Sequence, residues 1–334
     1  MEREPIELLL IAKLSLIPVL LCSLAGYAGR LHQYAELASH FRVQYLLVST
    51  ACLVFLLFHR EFGWASGAAL GCALNFPSIL FWFFGGKASK GETGNGRQLR
   101  LLLANVNRAN TRHDLFLAFV REHNPDVVIV QEVDATWSQA LSVVHDYYPF
   151  NEIQPRNGGS GMALYSRLPF EGSSVSLSEG DARPGILVRI DLDGDFVWVF
   201  SIHPRAPIRP GHLDRRNRML TAAAEHLESL PSPKICIGDL NTSLWSPYYR
   251  DFAKQTRLKN VRKGFGLLPT WPTFLRFRWL MIPIDHCLVS DDIRVLDAKA
   301  GDHIHSDHLP LLVTLEIPYG LRESNLCKPG HDRL

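Results

Sequence analysis

Three stretches of the sequence place polar side chains at the end of a short apolar run, as expected where a buried strand ends. They are CIGDLN at 236–241, QE at 131–132 and SDH at 306–308. Side chains at a strand end point beyond the sheet, so these groups can converge on one site. Carboxylate, amide and imidazole groups gathered in this way are what metal-assisted hydrolysis of a phosphoester requires.

The 236–241 stretch carries Asp239 and Asn241 with one residue between them. Asp239 could orient or deprotonate an attacking water, and Asn241 could hydrogen-bond the transition state. The competing interpretation is an Asx turn, because Gly-Asp-x-Asn is also good turn chemistry. His203 follows another apolar run and could donate a proton to a phosphate oxygen, although a histidine at a strand end is commonly structural.

A divalent cation has candidate ligands near the ends of the first two predicted strands. Glu132 could bind a hard cation, and Asn105 and Asn107 could add neutral oxygen ligands from one face of the chain. Mg²⁺ keeps several waters, so one or two carboxylates and a substrate phosphate are sufficient. Each of these residues, taken alone, could also be a turn or capping residue.

The C-terminal part of the sequence supplies Asp285, Asp307 and His308. A carboxylate paired with an imidazole fixes its tautomer and raises its basicity, which makes His308 a candidate general base or phosphate partner. Asp307 would then be available to a metal. The run DHIHSDH at 302–308 also suggests zinc, but no second cluster with H-x-x-x-H spacing accompanies it.

Three apolar segments precede these candidate site residues in the sequence, at 6–27, 43–58 and 62–84. A membrane-spanning helix needs about 20 apolar residues, and the third segment meets this length without a charge. The first is interrupted by Glu7, Lys13 and Pro18. The alternative is a signal peptide followed by a buried helical hairpin, but no small-x-small cleavage site follows the first segment. We predict a membrane anchor with three transmembrane helices over 1–84.

Basic residues flank the predicted spans unequally. Arg3 and Arg60 lie on one side of the predicted spans. Six basic residues lie on the other side: Arg30, Arg42, Lys87, Lys90, Arg97 and Arg100. By the positive-inside rule, the C-terminal region faces the cytoplasm.

The stretch 85–97 is rich in glycine and lysine and predicts a flexible linker. A catalytic domain is predicted over 98–320, followed by a disordered tail over 321–334. Strand-like and helix-like runs alternate through the domain, and the long strands with few helices favour two packed sheets with the helices outside.

Composition gives no support for a zinc ribbon, a redox cysteine pair or nonspecific nucleic-acid binding. The six cysteines include no C-x-x-C pair, so neither a zinc ribbon nor a redox pair is indicated. Residues 98–334 contain as many acidic as basic residues, 27 of each. A binder of nucleic acid without sequence preference needs a basic surface, and the composition provides no such excess.

The order of these motifs resembles the endonuclease/exonuclease/phosphatase superfamily, which has the DNase I-like fold. The matching elements are LLLAN at 101–105, VIVQEV at 128–133, GMALYSRLP at 161–169, FSIHP at 200–204, GDLN at 238–241, IDHCLVS at 284–290 and SDH at 306–308. The resemblance implies an α/β fold, a four-layer α/β sandwich preceded here by three transmembrane helices. It also implies a Mg²⁺-dependent phosphoesterase, with Mn²⁺ as a possible substitute.

The resemblance also assigns roles. It implies metal ligation by Glu132, assisted by Asn105 and Asp307. It implies transition-state contacts from His203 and Asn241, a role for Asp239 near the nucleophilic water, and an Asp285–His308 pair. Many members have Asp where this chain has Asn107, which puts a carboxylate ligand at that position in doubt. Three N-terminal spans are similar to a bacterial membrane-anchored subgroup, which implies the bacterial inner membrane.

Substrate recognition has two candidate regions. The segment 267–283 interleaves aromatic residues, among them Trp271, with arginines, which suits a membrane interface. Its aromatic residues could instead close the core or stack on unpaired bases. Arg216 belongs to a basic run that could hold a second phosphate or simply form a solvated helix start. Asn107 is a further candidate contact.

Three functions remain open. The favoured one is a membrane-anchored phosphoesterase acting on a lipid or lipid-linked substrate, with the bilayer and the phosphoester as its partners. The alternatives are a Mg-dependent nuclease acting on nucleic acid and an inactive binding or scaffold protein. No protein partner is predicted.

Overall fold

The computed structural model describes residues 3–86, 96–177 and 183–319. Three N-terminal helices dominate the first part: α1 (Arg3–Ala25), α3 (Arg42–Phe58) and α4 (Phe62–Leu80). With short extensions they give stretches of 23, 26 and 22 residues that are apolar enough to cross a membrane. The three apolar spans predicted from the sequence are thereby confirmed. A short helix, α2 (Gln33–Ala38), joins α1 to α3 and was not predicted.

The anchor helices pack through a small buried cluster that includes Leu16, Leu56 and Ala68. The charge that interrupts the first apolar segment has a partner, because Lys13 forms an ion pair of 2.9 Å with Glu61 at the start of α4. Most large apolar side chains of these helices are exposed, as expected for surfaces that face lipid.

The domain predicted over 98–320 contains two six-stranded mixed sheets. The first sheet has the order β11-β12-β1-β2-β4-β3 and the second β5-β6-β7-β8-β10-β9. Their strands are β1 (Gly96–Asn105), β2 (Val127–Gln131), β3 (Phe150–Gln154), β4 (Met162–Ser166), β5 (Phe170–Ser176), β6 (Pro184–Asp191), β7 (Phe196–Ile202), β8 (Lys234–Asp239), β9 (Lys259–Asn260), β10 (Asp285–Val289), β11 (Arg294–Ala300) and β12 (Leu311–Pro318).

The two sheets pack face to face. Alternate residues of both sheets, such as Leu101 and Ile129 from the first and Val199 and Ile237 from the second, form one buried core between them. Helices α5 (His113–His123) and α6 (Ala135–Leu141) cover the outer face of the first sheet. Helices α7 (His212–Ser229) and α8 (Pro247–Thr256) cover the second. This is the α/β layering expected from the sequence.

The element boundaries differ from expectation in a few places. Gly96 and Arg97, assigned to the linker, pair with Pro318 and Ile317 as the first residues of β1. Strands β3 and β9 and helix α8 were not predicted. The central part of the predicted linker, 87–95, and the predicted disordered tail, 321–334, lie outside the described residues.

The anchor is docked on the helical side of the second sheet. Ile79 of α4 belongs to the same buried cluster as Leu244 and Trp245. The indole nitrogen of Trp245 donates to the carbonyl of Ser78 at 3.2 Å, and the backbone N–H of Gly264 donates to the carbonyl of Trp82 at 2.9 Å. Anchor and domain are therefore joined by packing and by hydrogen bonds.

Candidate active site

The ends of four strands meet at one edge of the sandwich. Asn105 at the end of β1 pairs in register with Gln131 at the end of β2, and Asp239 at the end of β8 pairs with Asp285 at the start of β10. Gln131 joins the two sheets, because its amide donates to Ile202 O at 3.0 Å and accepts from the Asp239 backbone N–H at 2.8 Å. The topology therefore brings the four ends to one place.

The close approach of strands at this edge requires a glycine. A Cβ at Gly238 would lie 1.9 Å from the carbonyl oxygen of Ile202 and 2.8 Å from the side-chain nitrogen of Gln131. Any larger residue would push β8 away from β7 and displace Asp239. The Gly-Asp sequence of the motif thus has a steric reason beyond turn formation.

One oxygen, Asp239 Oδ2, is surrounded by four side chains, three of which come from other segments of the chain. It accepts from the amides of Asn105 at 3.3 Å and Asn241 at 3.4 Å. The Nε2 atoms of His203 and His308 lie 3.6 Å and 3.7 Å away. Asp239 is 1% exposed, so these groups stand in for solvent around its charge. Residues far apart in sequence therefore converge on this carboxylate.

His308 is held from behind by Asp285, whose Oδ2 lies 2.8 Å from His308 Nδ1. Burial alone would lower the pKa of His308, but the charges of Asp285 and Asp239 and the hydrogen bond to Asp285 raise it above the ordinary value. Burial would likewise raise the pKa of Asp285, and the charge and hydrogen bond of His308 lower it instead. The two side chains form an imidazolium–carboxylate pair with Nε2 directed toward Asp239.

A buried arginine supports this pair from the far side. Arg262 is fully buried, and its guanidinium donates to the carbonyl of Asp285 at 2.5 Å and to those of Leu267 at 2.7 Å and Leu268 at 3.1 Å. Burial lowers the pKa of Arg262 to about 10. Its charge helps to hold the pKa of Asp285 down. Arg262 thus fixes the start of β10 and also the beginning of the segment 267–283 that leads to it.

The candidate metal ligands lie beside this centre. The Asn105 amide nitrogen bridges Glu132 Oε1, at 3.2 Å, and Asp239. Its oxygen accepts from the backbone N–H of Asn107 at 3.1 Å. In this arrangement Asn105 turns its N–H groups, not its oxygen, toward the carboxylates. Asn107 donates to Asp307 Oδ1 at 2.9 Å, which ties the two loops together.

These residues fit a hard divalent cation. Within the described residues, no lysine or arginine pairs with Glu132, Asp239 or Asp307. Oδ1 of buried Asp285 has no hydrogen-bond partner there. Ligand atoms of Asp239, Asp285 and His308 lie within 4.8 Å of one another. Because Asp285 and His308 already bond to each other, Glu132 and Asp307 are the remaining carboxylates whose oxygens could hold such a cation.

Three of the ten described non-glycine residues with positive φ lie at the same edge. Asn107, Glu132 and Asn241 all have positive φ, at 53°, 67° and 49°. Positive φ is uncommon outside glycine, and for glutamate it has no local hydrogen-bond compensation of the kind that Asn provides. Residues held in such conformations cluster at functional sites. The strain supports the assignment of this edge as the active site.

One predicted substrate-binding residue, Arg216, is buried within the protein and is not open to a substrate. Arg216 is 0% exposed, and its guanidinium donates to Glu36 of α2 at 2.8 Å and to the carbonyl of Asn241 at 3.1 Å. A direct substrate contact by Arg216 is therefore excluded in this conformation, because all its donor nitrogens are occupied within the protein. Trp271 does reach the site, where its indole nitrogen donates to Asp307 Oδ2 at 3.2 Å.

Sequence reasoning missed the roles of three residues that shape this site. Gln131 was read as part of a polar strand end, but its role in joining the sheets depends on a contact with Asp239, 108 residues away. Arg262 carried no signal, because one arginine within the basic run RLKNVRK at 257–263 does not indicate burial. Ser306 was noted only within its motif, and its hydroxyl donates to the carbonyl of Asn105 at 2.7 Å.

Comparisons with known proteins agree with this geometry. The model of the Endonuclease/Exonuclease/phosphatase family matches residues 99–308. No curated protein matches the chain by sequence. Among solved structures, TDP2 of D. rerio complexed with single strand DNA product aligns with a TM-score of 0.57 and 15% identity, over 65% of this chain and 98% of that one.

Two bacterial structures of the same family also align. The endonuclease/exonuclease/phosphatase from Beutenbergia cavernae has a TM-score of 0.53 and 20% identity, over 66% of this chain and 72% of its own. That from Bacteroides vulgatus has a TM-score of 0.53 and 17% identity, over 66% of this chain and 99% of its own. At these identities the likeness concerns the fold.

Proposed function

Because this chain belongs to the endonuclease/exonuclease/phosphatase family, we propose that it is a divalent-metal-dependent phosphoesterase acting at a membrane surface. The observation that carries the proposal is the convergence of Asn105, His203, Asn241 and His308 on Asp239 Oδ2. Members of this family are hydrolases of phosphoester bonds, and the strand ends supply the groups that this reaction needs.

Each group has a role consistent with its position. Asp239, which is buried, accepts the proton of an attacking water or holds that water for attack. The imidazolium of His308 places positive charge beside it, and both histidines can supply N–H donors where a phosphate gains negative charge in the transition state. Asn241 adds an amide donor on the same side. Asp285 keeps His308 in position and in its charged state.

The proposed cation is Mg²⁺, with Mn²⁺ as a substitute. Glu132 would hold it, with Asp307 and Asn105 beside it, and its charge would neutralise the phosphate oxygens. For Asn105 to act as a ligand, its amide must turn by about half a rotation, since its oxygen now faces Asn107 N. An Asn in place of the usual Asp at 107 leaves the site with one carboxylate fewer, and the hydrogen bond of Asn107 to Asp307 orients the remaining one.

The membrane-surface substrate is supported by the segment 267–283. Its aromatic residues Phe274, Phe277 and Trp279 are 72%, 58% and 52% exposed, so they do not close the core. Gln44 near the start of α3 donates to the carbonyl of Leu280 at 2.8 Å, which places the segment beside the anchor. At its other end, Trp271 touches Asp307. We therefore propose a lipid or lipid-linked phosphoester that reaches the site along this segment.

The proposed location is a bacterial inner membrane with the domain on the cytoplasmic side. The cytoplasmic orientation follows from the six basic residues that flank the spans on the domain side, Arg30, Arg42, Lys87, Lys90, Arg97 and Arg100. A phosphatase-fusion topology map tests this orientation: a fusion after residue 319 should be inactive if the domain is cytoplasmic.

The function is tested with the full-length protein in nanodiscs. We expect Mg²⁺-dependent turnover of a lipid phosphoester, tested with sphingomyelin, phosphatidylglycerol and phosphoinositides, and of bis-p-nitrophenyl phosphate. EDTA should abolish turnover and added Mn²⁺ should restore it. Paired substitution of Phe277→Ser and Trp279→Ser should raise KM for the lipid and leave the soluble diester unchanged. No turnover of any phosphoester with either metal would refute the proposal.

A nuclease is the second candidate, because the aligned D. rerio TDP2 was solved with a single-stranded DNA product. It predicts cleavage of plasmid or single-stranded DNA that falls steeply with salt. The even charge balance of residues 98–334 weighs against it. Nicking of plasmid DNA by the wild type, lost in Asp239→Asn and unmatched by any lipid turnover, would replace the lipid proposal. An inactive scaffold is disfavoured, because Glu132, Asp239, Asn241, Asp307 and His308 are all in place.

A further inference from the structure

A cavity of about 1020 Å³ lies between the anchor and the outer face of the second sheet. One wall is formed by the domain-side ends of the anchor helices, including Tyr27, Ser78 and Trp82. The opposite wall is formed by α8 and its neighbours, including Tyr249 and Ala253. None of the active-site residues lines it, so the cavity is separate from the proposed catalytic centre.

The lining combines apolar surface with a basic rim. The basic residues are Arg42, Arg250, Lys259, Lys263 and Arg294, and no described lining residue is Asp or Glu. Lys259 and Arg294 pair with carboxylates outside the cavity, at 2.9 Å and 2.6 Å. Among the described residues, no carboxylate pairs with Arg42, Arg250 or Lys263. These three cationic groups therefore have no counter-charge within residues 3–86, 96–177 and 183–319.

Arg42 shows this most clearly. It is 3% exposed, and its guanidinium lies over the ring of Tyr27 at 4.2 Å and donates to the carbonyl of Leu74 at 3.3 Å. Its Nε has no hydrogen-bond partner within the described residues. A buried cation with neither a carboxylate nor a full set of acceptors is costly. An anion in the cavity would supply both.

The position of the cavity relative to the ends of the membrane spans indicates the source of that anion. Tyr27 lies in the extension that ends the first span, Arg42 begins α3, and Trp82 ends the third span. Tyrosine, tryptophan and arginine at such positions mark the level of the lipid headgroups. A soluble anion would satisfy the basic rim but leave the apolar walls unfilled. A phospholipid has an anionic headgroup for the basic rim and apolar chains for the apolar walls.

We propose that this cavity binds one anionic phospholipid of the surrounding bilayer. The phosphate lies among Arg42, Arg250 and Lys263, and the glycerol and upper acyl chains lie against the apolar walls. A volume of this size is at the upper end for small-molecule sites, about 300–1,000 Å³, so the lower acyl chains remain in the bilayer. The lipid connects anchor to domain and is not the substrate.

The test is lipid retention by the full-length protein, measured by native mass spectrometry after release from detergent. Phosphatidylglycerol is the anionic probe and phosphatidylethanolamine the zwitterionic one. We expect one tightly retained phosphatidylglycerol and weaker retention of phosphatidylethanolamine. Each neutralised charge should weaken phosphatidylglycerol binding about fivefold, so Arg250→Ala and Lys263→Ala together should weaken it about 25-fold. Lys254→Ala is the matched control, because Lys254 is exposed on the same helix as Arg250 but does not line the cavity.

A second variant separates charge from shape. Ala253→Trp fills the cavity and leaves every basic residue in place, so it should also reduce phosphatidylglycerol retention, whereas inorganic phosphate should not displace the lipid from the wild type. Equal retention of both lipids, or unchanged retention in both the double variant and Ala253→Trp, would overturn the proposal. Displacement by inorganic phosphate would also overturn it in favour of a soluble anion. Binding is read without turnover, so the result is independent of the proposed catalytic function.

Discussion

Two buried clusters of charged side chains can be compared in this protein. At the active site, Asp239 and Asp285 both lie beside the imidazole of His308. The Nε2 atoms of His203 and His308 are 3.6 Å and 3.7 Å from Asp239, too far for hydrogen bonds. Where the anchor meets the domain, Glu36 Oε1 accepts short hydrogen bonds from Arg216 at 2.8 Å and Ser246 at 2.7 Å.

The difference lies in spare bonding capacity. Each nitrogen of the Arg216 guanidinium donates at least one hydrogen bond, to Glu36, Asn217 or Asn241 O. At the active site, Asp285 Oδ1 and His203 Nδ1 have no partner among the described residues. Glu36 Oε2 also has no hydrogen-bond partner among the described residues, but His40 Nε2 lies 3.4 Å from it. The two clusters therefore differ in their donors: a cluster with a free donor can take up an anion, whereas one whose guanidinium nitrogens are all used can only hold the structure. Burial and charge alone do not distinguish the two.

The sharpest test of this comparison is Asp239→Asn. The amide keeps the shape but removes the negative charge around which the site is built. We expect kcat/KM for bis-p-nitrophenyl phosphate to fall by about 10²–10⁴-fold. The thermal melting temperature should not fall, because the substitution also relieves repulsion between Asp239 and Asp285. Asp297→Asn, at an exposed position on β11, is the control and should change neither quantity.

Arg216→Ala should have the opposite signature. It leaves Glu36 buried without its cation, so we expect a loss of about 3–5 kcal/mol in unfolding free energy, measured as a fall in melting temperature in detergent. Exposed Arg218 on the same helix is the control, and Arg218→Ala should be nearly neutral. The double variant Glu36→Leu with Arg216→Met should recover much of the loss, because neither charge then remains. A melting temperature unchanged in Arg216→Ala would contradict the distinction between the clusters.

Asp285→Asn tests the support behind His308. Removing the carboxylate charge lowers the pKa of His308, so its charged form should be lost at lower pH, and activity should fall about 10²-fold with its alkaline limb shifted to lower pH. Measured kcat/KM across pH detects the shift. Exposed Asp302 provides the control, as Asp302→Asn should leave the profile in place.

The same substitution has a predictable effect on stability. The raised pKa of His308 adds stability below its unfolded pKa, and this stability is lost as pH rises through the folded pKa. The lowered pKa of Asp285 adds stability above its unfolded pKa, lost as pH falls through the folded one. The destabilisation by Asp285→Asn should therefore be largest at about pH 5–6, between the two unfolded values, and smaller on either side. A pH-independent loss would show that the pair is not ionised.

The smallest effect is expected at the exposed edge of the anchor interface. Arg30 and Asp251 form an ion pair of 2.6 Å, but their side chains are 61% and 47% exposed. We expect Arg30→Ala to cost about 0–1 kcal/mol, because water screens such pairs. Thermal melting at low and high salt measures it. A loss as large as that of Arg216→Ala would show that burial is not what separates strong from weak contacts across this interface.

Much of the fold could be predicted because its signals are local. The three spans follow from uninterrupted apolar length, and strands such as β2 and β8 follow from short apolar runs that end in polar residues. Helix α8 could have been found as well, since Ser246 caps it and Pro247 occupies its first turn. It was missed because its apolar residues are few and lie among tyrosines and charges.

The anchor–domain contacts could not be predicted, because each is a pairing between distant residues. Glu36 and Arg216 are 180 residues apart, and His40 and Ser243 are 203 apart. In sequence, Glu36 looks like a solvated loop residue and Arg216 like part of a basic helix start. Only the packed structure shows that each cancels the other's charge. The substrate-contact role expected for Arg216 failed for this reason.

The separation of Glu36 from Arg216 also has a consequence for biosynthesis. The ribosome delivers the first two spans and the turn between them well before α7 exists, and at about 5–20 residues per second the 180 intervening residues take about 9–36 seconds. During this interval Glu36 and His40 remain without their partners from the domain at the bilayer surface. These contacts form only when the domain has folded, so the first helical hairpin reaches its final position together with the completed domain.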